Sequence, residues 1–234
     1  MDLVSIQTII TAIGDYHMKR SVWFIALLAL VTAWRAFAQT INFDNDIDGK
    51  RPKGFSTALT GKGKPGTWVV MKDETAPSKP NVLAQIDMDK TDYRFPLCVF
   101  DSIAVKDVEI TVKFRPVKGN VDQAGGIVWR YKDENNYYIL RANALEDNFR
   151  MYHVVNGKRG EFKGANIKVA TGEWHTINVR NVGNKFEASF DGKKLIETMD
   201  DTFSNAGKVG LWTKADSYTL FDDFTIQQIK ETTK

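Results

Sequence analysis

Cysteine is almost absent from this sequence, since Cys98 is the only one among 234 residues. A single thiol excludes an internal disulfide and any metal site built from several cysteines. Cys98 lies between apolar neighbours in FPLCVF, and we expect it to be a buried thiol. Without disulfides, the stability of the protein has to come from packing and from any bound ion.

An excess of charge of one sign is also missing. The chain has 32 Lys and Arg against 29 Asp and Glu, which leaves a net charge of +3. The basic residues are dispersed along the chain and do not form a basic cluster. A nearly balanced and dispersed charge argues against a nucleic acid as partner.

No apolar stretch has the length of a comfortable membrane span. The apolar run 22–31 follows a basic start at 18–20 and precedes Ala-Phe-Ala at 36–38. Together these are the three parts of a secretory signal peptide, which we predict over 18–38, with a membrane anchor as the alternative. Residues 1–17 fit no part of a signal and indicate an over-extended start. The mature protein is then secreted or periplasmic, without membrane contact after cleavage.

Helical spacing of apolar residues is missing after Gln39, where apolar residues alternate with polar ones instead. The predicted domain, 39–229, is therefore all-β, followed by a polar tail at 230–234. Asn156-Gly157 and Asp191-Gly192 indicate tight hairpins. The segment 49–80 is rich in glycine and proline and is predicted to be mostly loop. Predicted strands are 68–71, 108–114, 127–132, 137–143, 149–155, 174–181, 185–190, 194–198, 208–213 and 218–229.

Acidic residues alternate in FDNDIDG, residues 43–49, which places Asp44, Asp46 and Asp48 as in the opening of a calcium loop. The twelfth position of an EF-hand loop requires Glu, but Phe55 stands there, so an EF-hand is excluded. Two interpretations remain. The carboxylates hold a hard cation with ligands from elsewhere, or they are solvated in a turn.

Six short motifs stand out in the chain, namely GGIVWRY (125–131), NNYY (135–138), GEWH (172–175), FDGK (190–193), AGKVGLW (206–212) and FDDF (221–224). They resemble motifs of concanavalin A-like jelly rolls of the laminin-G type. Within that superfamily the chain resembles secreted bacterial proteins with 3-keto-disaccharide hydrolase domains, which are related to laminarinase-type glycoside hydrolases. The resemblance covers nearly the whole mature chain. It implies a sandwich of two antiparallel sheets, one of them concave, and it says less about activity.

The resemblance also implies that the first and last strands lie side by side. Acids from both chain ends would then share one structural calcium ion, which takes six to eight oxygen ligands. The predicted metal ligands are Asp44, Asp46, Asp48, Asp222 and Asp223. The alternative is that Asp222 or Asp223 caps a strand and the loop acids face water.

Paired catalytic acids are not visible. The laminarinase-type signature E-x-D-x-x-E is absent, and the strand at Glu109 continues with Thr111 and Lys113. No G-x-S-x-G elbow is present, and the mature chain has only His153 and His175. No catalytic residue is therefore predicted, although acids from distant strands remain open.

A carbohydrate-binding face is easier to predict, because sugars are held by aromatic rings and charged hydrogen-bonding groups. Alternation places Arg130 away from the core residues Trp129 and Tyr131. Arg130 and Arg141 on adjacent strands would lie side by side and suit uronic acids or sulfated sugars. The alternative is that the aromatic residues pack in the core and the arginines are solvated. The predicted ligand-binding residues are Arg130, Arg141, Tyr152, Trp212 and Lys214.

Three functions are compatible with these observations. The first is a secreted, calcium-stabilised, carbohydrate-binding jelly roll that acts on or near polysaccharides. The second is a 3-keto-disaccharide hydrolase that uses a metal-activated water or a dispersed acid/base pair. The third is a laminin-G-like adhesion module, for which we expect a flat apolar face. The missing paired-acid signature favours the first.

Overall fold

A computed structural model describes residues 38–230. The predicted start segment 1–17, nearly all of the predicted signal peptide (18–38) and all but the first residue of the predicted tail (230–234) lie outside the described residues. Within 38–230 no helix has the length and apolar character needed to cross a membrane.

The described residues form fifteen strands. Their bounds are β1 Ala38–Ile41, β2 Phe55–Gly61, β3 Trp68–Lys72, β4 Asn81–Gln85, β5 Arg94–Val105, β6 Val108–Lys118, β7 Ala124–Asp133, β8 Asn136–Asn143, β9 Asn148–Val155, β10 Lys158–Asn166, β11 His175–Val182, β12 Lys185–Phe190, β13 Lys193–Met199, β14 Gly207–Thr213 and β15 Tyr218–Gln228.

Two antiparallel sheets pack against each other, as predicted. The back sheet has the order β13-β12-β11-β6-β15-β4-β3, and β1 pairs with β15 beside it. The front sheet has the order β10-β9-β8-β7-β14-β5-β2. The first and last strands are neighbours, because Ile41 lies opposite Phe224, which confirms the predicted pairing of the chain ends.

The main core lies between the sheets and is built from alternate positions of their strands. Trp129 and Tyr138 on the front sheet stack with ring centroids 5.5 Å apart, and Phe186 of the back sheet packs on both. Cys98 is fully buried here, as expected. Each large apolar side chain buried in this way contributes about 1.5–3 kcal/mol of hydrophobic stabilisation.

The predicted hairpins form where left-handed backbone is available. Asn156 and Gly157 have φ of 50° and 76°, and Asp191 and Gly192 have φ of 47° and 78°. Two successive positive φ values match the right-handed twist of the flanking strands, which is why Asn-Gly and Asp-Gly occur at such turns.

Strands β4 and β5 were not predicted, and neither were β1, β2 and β10. In β5, every residue from Arg94 to Phe100 is buried, and all five residues of β4 are buried. A strand covered on both faces loses its apolar–polar alternation, so periodicity does not reveal it. β10 was not predicted for the opposite reason, since it is an edge strand with few apolar residues.

The predicted placement of Arg130 beside Arg141 is wrong. Gly126 lies opposite Arg141, and the β7–β14 register shifts at a β-bulge where Arg130 has φ of 46°. A bulge inserts one residue and reverses the alternation beyond it. Tyr131, predicted in the core, therefore packs on the other face of the front sheet beside Tyr137.

Arg130 itself binds backbone carbonyls. Its guanidinium donates to Lys106 O at 3.1 Å, to Gly183 O at 2.6 Å and to Phe203 O, and Asp107 lies 3.6 Å away. The side chain is 1% exposed. Each of its three nitrogens thus donates to a backbone carbonyl, and the buried Arg130 is a structural bridge between loops.

Candidate functional site

The front sheet buries apolar side chains on both faces. The face turned away from the back sheet carries a second apolar cluster, in which Phe95 stacks on Trp212 with ring centroids 5.4 Å apart. Its buried members are Phe95, Leu97, Val99, Ala124, Val128, Tyr137, Ile139, Val154 and Trp212. Apolar side chains buried on this outer face must be shielded from water by other parts of the protein.

Hydrogen bonds between strands that are far apart in the front sheet show how these side chains are shielded from water. Tyr93 precedes β5, whereas Gly157 and Arg159 belong to the β9–β10 hairpin, with β14, β7 and β8 in between. The Tyr93 hydroxyl donates to Gly157 O at 3.0 Å and accepts from Arg159 N at 2.9 Å. Thr60 on β2 and Tyr137 on β8 share a hydroxyl hydrogen bond of 2.6 Å. The front sheet thus curls over its outer face, which we call the concave face.

A polar cluster borders the apolar residues of the concave face. Arg141 projects from β8, where its Nη2 donates to Glu146 Oε2 at 2.8 Å and to the Tyr152 hydroxyl at 2.9 Å. Its Nη1 donates to Asn148 Oδ1. Glu146 lies in the loop after β8, and Tyr152 lies one strand away on β9, so a two-strand hairpin supplies all four groups.

Lys214, directly after β14, links this hairpin to two other loops. Its Nζ lies 2.5 Å from Asp122 Oδ2, 3.3 Å from Asp92 Oδ1 and 3.9 Å from Glu146 Oε1. Asn143 donates to the other oxygen of Asp122 at 2.6 Å. We define the polar cluster as Asp92, Asp122, Arg141, Glu146, Tyr152 and Lys214.

The pKa values of Asp122 and Glu146, the two more buried carboxyl groups of the cluster, shift in opposite directions. Burial raises the pKa of Asp122 despite the adjacent ammonium of Lys214. Burial also opposes ionisation of Glu146, but Arg141, Asn148 and Lys214 outweigh it and hold the pKa of Glu146 below its ordinary value. Burial disfavours the charge of Lys214, yet Asp122 and Asp92 raise the Lys214 pKa overall. Asp122 thus has a raised pKa and holds its proton more readily than a free carboxyl group, whereas Glu146 holds its proton less readily.

Arg159, which sequence reasoning missed, lies over the aromatic part of the concave face. Its Cζ is 4.5 Å from the ring centroid of Tyr152, 4.8 Å from that of Phe95 and 6.0 Å from that of Trp212. The sequence KRGEFKG around it reads as a solvated basic segment. Only the curl of the sheet brings this arginine onto three rings.

Four of the five predicted ligand-binding residues come together. Arg141, Tyr152 and Lys214 belong to the polar cluster, and Trp212 lies fully buried beneath Arg159. Arg130 does not join them, because the β-bulge directs it to the carbonyls described above. A role in ligand binding remains a prediction for the four that converge.

The five predicted metal ligands do not form one cluster. Asp223 pairs with Lys113 at 2.7 Å, and Asp222 accepts from Ser78 N and Ser78 Oγ, both at 2.8 Å. Asp46 accepts from the Lys53 amide at 3.0 Å. Within 38–230, no group of three or more His, Cys, Asp or Glu side chains is arranged to hold a metal ion.

Backbone carbonyls of the FDNDIDG loop converge on Asn81 instead. Asn81 Nδ2 lies 3.2 Å from Phe43 O, 3.3 Å from Asp44 O and 3.4 Å from Asp46 O. Asn81 Oδ1 is buried and has no hydrogen-bond partner among the described residues. These contacts assign the amide nitrogen, which is a donor, to the side that faces the three carbonyl oxygens. Carbonyl oxygens are also among the six to eight oxygen ligands that calcium takes.

Both described histidines have structural partners. His175 Nδ1 lies 2.8 Å from Asp191 Oδ2, and its Nε2 lies 3.1 Å from Ala170 O. His153 stacks on Phe162 with ring centroids 5.8 Å apart. Neither is part of the polar cluster, so the cluster holds carboxylates, cations and a phenol as its reactive groups.

Comparisons with known proteins find similarity in structure only. No protein-family model matches the chain, and no curated protein matches it.

Among the solved structures similar to the chain are three whose names refer to a carbohydrate. The carbohydrate-binding module CBM66 from Bacillus subtilis is 21% identical with a TM-score of 0.59, covering 75% of this chain and 96% of that one. The cellulose-induced protein Cip1 is 10% identical with a TM-score of 0.57, covering 82% and 98%. Domain 4 of the extracellular arabinanase AbnA from Geobacillus stearothermophilus, solved with arabinotriose, is 13% identical with a TM-score of 0.54, covering 82% and 93%. At these identities the likeness concerns the fold, and the chain has the concanavalin A-like jelly-roll sandwich fold.

Proposed function

We propose that the concave face of the front sheet binds carbohydrate through the polar cluster. The observation that carries the proposal is the convergence of Arg141, Glu146 and Tyr152 from the β8–β9 hairpin with Lys214, which follows β14. Two structural neighbours support the choice of ligand class by name, one a carbohydrate-binding module and the other a domain solved with arabinotriose.

The chemistry of the cluster suits a sugar. Adjacent hydroxyls of a sugar ring each donate and accept hydrogen bonds, and Arg141 beside Glu146 offers donors next to an acceptor. The Glu146 side chain is 38% exposed, whereas that of Arg141 is 3% exposed. Glu146 therefore contacts a ligand directly, while Arg141 orients Glu146 and the Tyr152 hydroxyl.

Binding of arabinan, levan, xylan and β-glucan by the wild type and by Glu146→Gln tests the proposal. The substitution keeps the shape of the side chain but removes a charge-assisted acceptor and weakens its pairing with Arg141 and Lys214. We expect at least a tenfold loss of affinity, which corresponds to about 1.4 kcal/mol. Isothermal titration calorimetry with a polysaccharide that the wild type binds measures this loss of affinity.

Glu197→Gln is the matched control, because Glu197 lies on the back sheet and forms an exposed ion pair with Lys194 at 2.8 Å. Its affinity is expected to equal that of the wild type. Equal binding by all three proteins would place the sugar elsewhere. No binding to these neutral polysaccharides or to acidic ones would contradict the proposal and favour the adhesion-module alternative.

A second candidate is a hydrolase of the 3-keto-disaccharide type, favoured by the opposite pKa shifts of Asp122 and Glu146 within one cluster. Two carboxyl groups whose environments separate their pKa values are suited to serve as acid and base. Release of free sugars from a 3-keto-disaccharide by the wild type, abolished in Glu146→Gln, would support hydrolysis. Binding without release would leave the carbohydrate-binding function alone.

We also propose that a calcium ion is held at the FDNDIDG loop by Phe43 O, Asp44 O and Asp46 O, with further oxygens completing its six to eight ligands. This donor set differs from the five carboxylates predicted from the sequence. The convergence of the three carbonyls on one side chain, Asn81, is the observation that supports it. When bound, the ion would join the FDNDIDG loop to strand β4.

A further inference from the structure

Arg159 differs from the other sheltered arginines in having no counter-ion. The fully or partly buried Arg94, Arg115, Arg130, Arg141 and Arg150 each have an acidic side chain within 3.6 Å. Among residues 38–230, no carboxylate lies within 4.0 Å of the Arg159 guanidinium, and no acceptor forms a hydrogen bond with it. Its Nη1 is buried without a partner.

Burial of an uncompensated cation is unfavourable, because water no longer solvates it. The three rings around Arg159 offset part of this cost, since cation–π contacts contribute about 0.5–2 kcal/mol. Rings are not hydrogen-bond acceptors of comparable strength, so the donors of Arg159 remain free. A planar guanidinium fixed by stacking is pre-organised for bidentate recognition of an oxyanion.

The neighbouring cations do not compete for the same anion. Arg141 is bound by Glu146, and Lys214 is bound by Asp122 and Asp92. Arg159 and Arg141 both lie against Tyr152, at 4.5 and 5.5 Å from its ring centroid. Arg159 therefore has no ion-pair partner among residues 38–230, and it lies on the ring that also adjoins the polar cluster.

We propose that the carbohydrate site recognises an acidic sugar, whose carboxylate or sulfate oxygens bind the Arg159 guanidinium while the sugar ring contacts the polar cluster. This inference rests on the proposed carbohydrate-binding function and specifies its ligand class. Carboxylates and sulfates present the same pair of oxygens to an arginine, so the chemistry of recognition is shared.

The test compares acidic polysaccharides with neutral forms of the same chain. Polygalacturonate and alginate are used with their carboxyl-reduced counterparts, and κ-carrageenan with its desulfated form. We expect the wild type to bind at least one acidic polymer at least tenfold more tightly than its neutral counterpart, with an affinity that falls as salt rises. Preference for the carboxylated or the sulfated polymer identifies the source of the anion.

Arg159→Gln is expected to lose this preference, so that its affinities for the acidic and neutral forms agree within twofold. The adjacent, exposed Lys158→Gln is the matched control and should keep the preference. Arg159→Lys retains the charge above the rings, and we expect it to keep the salt dependence with a preference reduced several-fold. Arg159→Lys also tests the inference if Arg159→Gln fails to fold.

Failure of the inference and failure of the proposed function give different results. Binding to neutral polysaccharides that equals binding to the acidic ones overturns the acidic-sugar inference and leaves the carbohydrate function intact. Acidic preference that persists in Arg159→Gln also overturns the assignment of Arg159. Absence of binding to every acidic and neutral polymer overturns both.

Discussion

Two arginines of the front sheet show how the partners of a buried charge decide its use. Arg130 donates to three backbone carbonyls, which cannot move without disturbing the fold. Arg141 donates to the side chains of Glu146, Asn148 and Tyr152, which are able to share their remaining hydrogen-bonding capacity with a ligand. The first arginine stabilises the fold, and the second organises the candidate site.

Asp222 provides a prediction about pH. Burial raises its pKa to about 6, although hydrogen bonds from Ser78 and the Asp223 amide favour the ionised form. Its folded pKa therefore exceeds its unfolded value of about 3.9. The contribution of protonated Asp222 to stability is fully present below about pH 4 and is lost as the pH rises through 6. The raised pKa corresponds to about 2–3 kcal/mol.

Urea unfolding of the wild type and Asp222→Asn between pH 4 and 8, in EDTA, measures this effect. The free energy of unfolding of the wild type, relative to that of the variant, should increase by about 2–3 kcal/mol as the pH falls from 8 to 4. The exposed Asp201→Asn controls for the loss of one negative charge. Parallel curves for the wild type and Asp222→Asn would contradict the prediction.

At the scale of elements, the β-bulge in β7 determines which side chains reach the concave face. Gly207 on β14 lies against the bulge, and a Cβ on it would come within 2.4 Å of Arg130 C and 2.7 Å of Tyr131 N. These are backbone atoms, which cannot rotate away. The glycine is therefore required for the bulge that turns Tyr131 outward.

Gly207→Ala is expected to lower the free energy of unfolding by about 3 kcal/mol, because the added methyl group overpacks a buried backbone contact. Gly192→Ala is the matched control. Gly192 has φ of +78°, but a Cβ on it would meet no atom within 4 Å, so only conformational strain of about 1 kcal/mol applies. Urea denaturation of both variants checks the difference, and equal losses would show that the close approach is unimportant.

At the scale of the whole molecule, the FDNDIDG loop joins strand β1 to the edge of the back sheet at β3. Gly49 N donates to Val70 O at 2.8 Å, and Val70 N donates to Lys50 O at 2.7 Å. Asn81 at the start of β4 lies inside this loop. An ion here would hold strands β1, β3 and β4 together, so its effect should appear in unfolding of the entire domain.

Thermal unfolding in EDTA and in excess calcium tests the proposed ion. A concentration about one hundred times the Kd stabilises a folded protein by about 2.7 kcal/mol, so we expect the Tm of the wild type to rise. Asn81→Asp should be less stable in EDTA, because a carboxylate would face three carbonyls, and should show a larger calcium shift. Asp223→Ala lies outside the carbonyl set and should retain the wild-type shift. If Asp223→Ala loses the calcium-induced rise in Tm while Asn81→Asp keeps it, the result would favour the five-carboxylate site.

Local patterns in the sequence determined the fold class, the Asn-Gly and Asp-Gly hairpins and strands such as β6, β8 and β9, because alternation and turn chemistry act between neighbours in the chain. Alternation also places Arg141 and Tyr152 on the face that became the concave face. These features could be predicted, since each depends on a few consecutive residues.

Only the tertiary structure decided the rest. β5 is covered on both faces by segments distant in sequence, so its burial has no local signature. The bulge at Arg130 depends on Gly207 of another strand, and it reverses an alternation that the sequence alone shows as continuous. Arg159 lies on three rings because the front sheet curls, and its lack of a counter-ion among residues 38–230 is a property of all the segments packed around it. Long-range packing, which local periodicity does not encode, thus determined the candidate site.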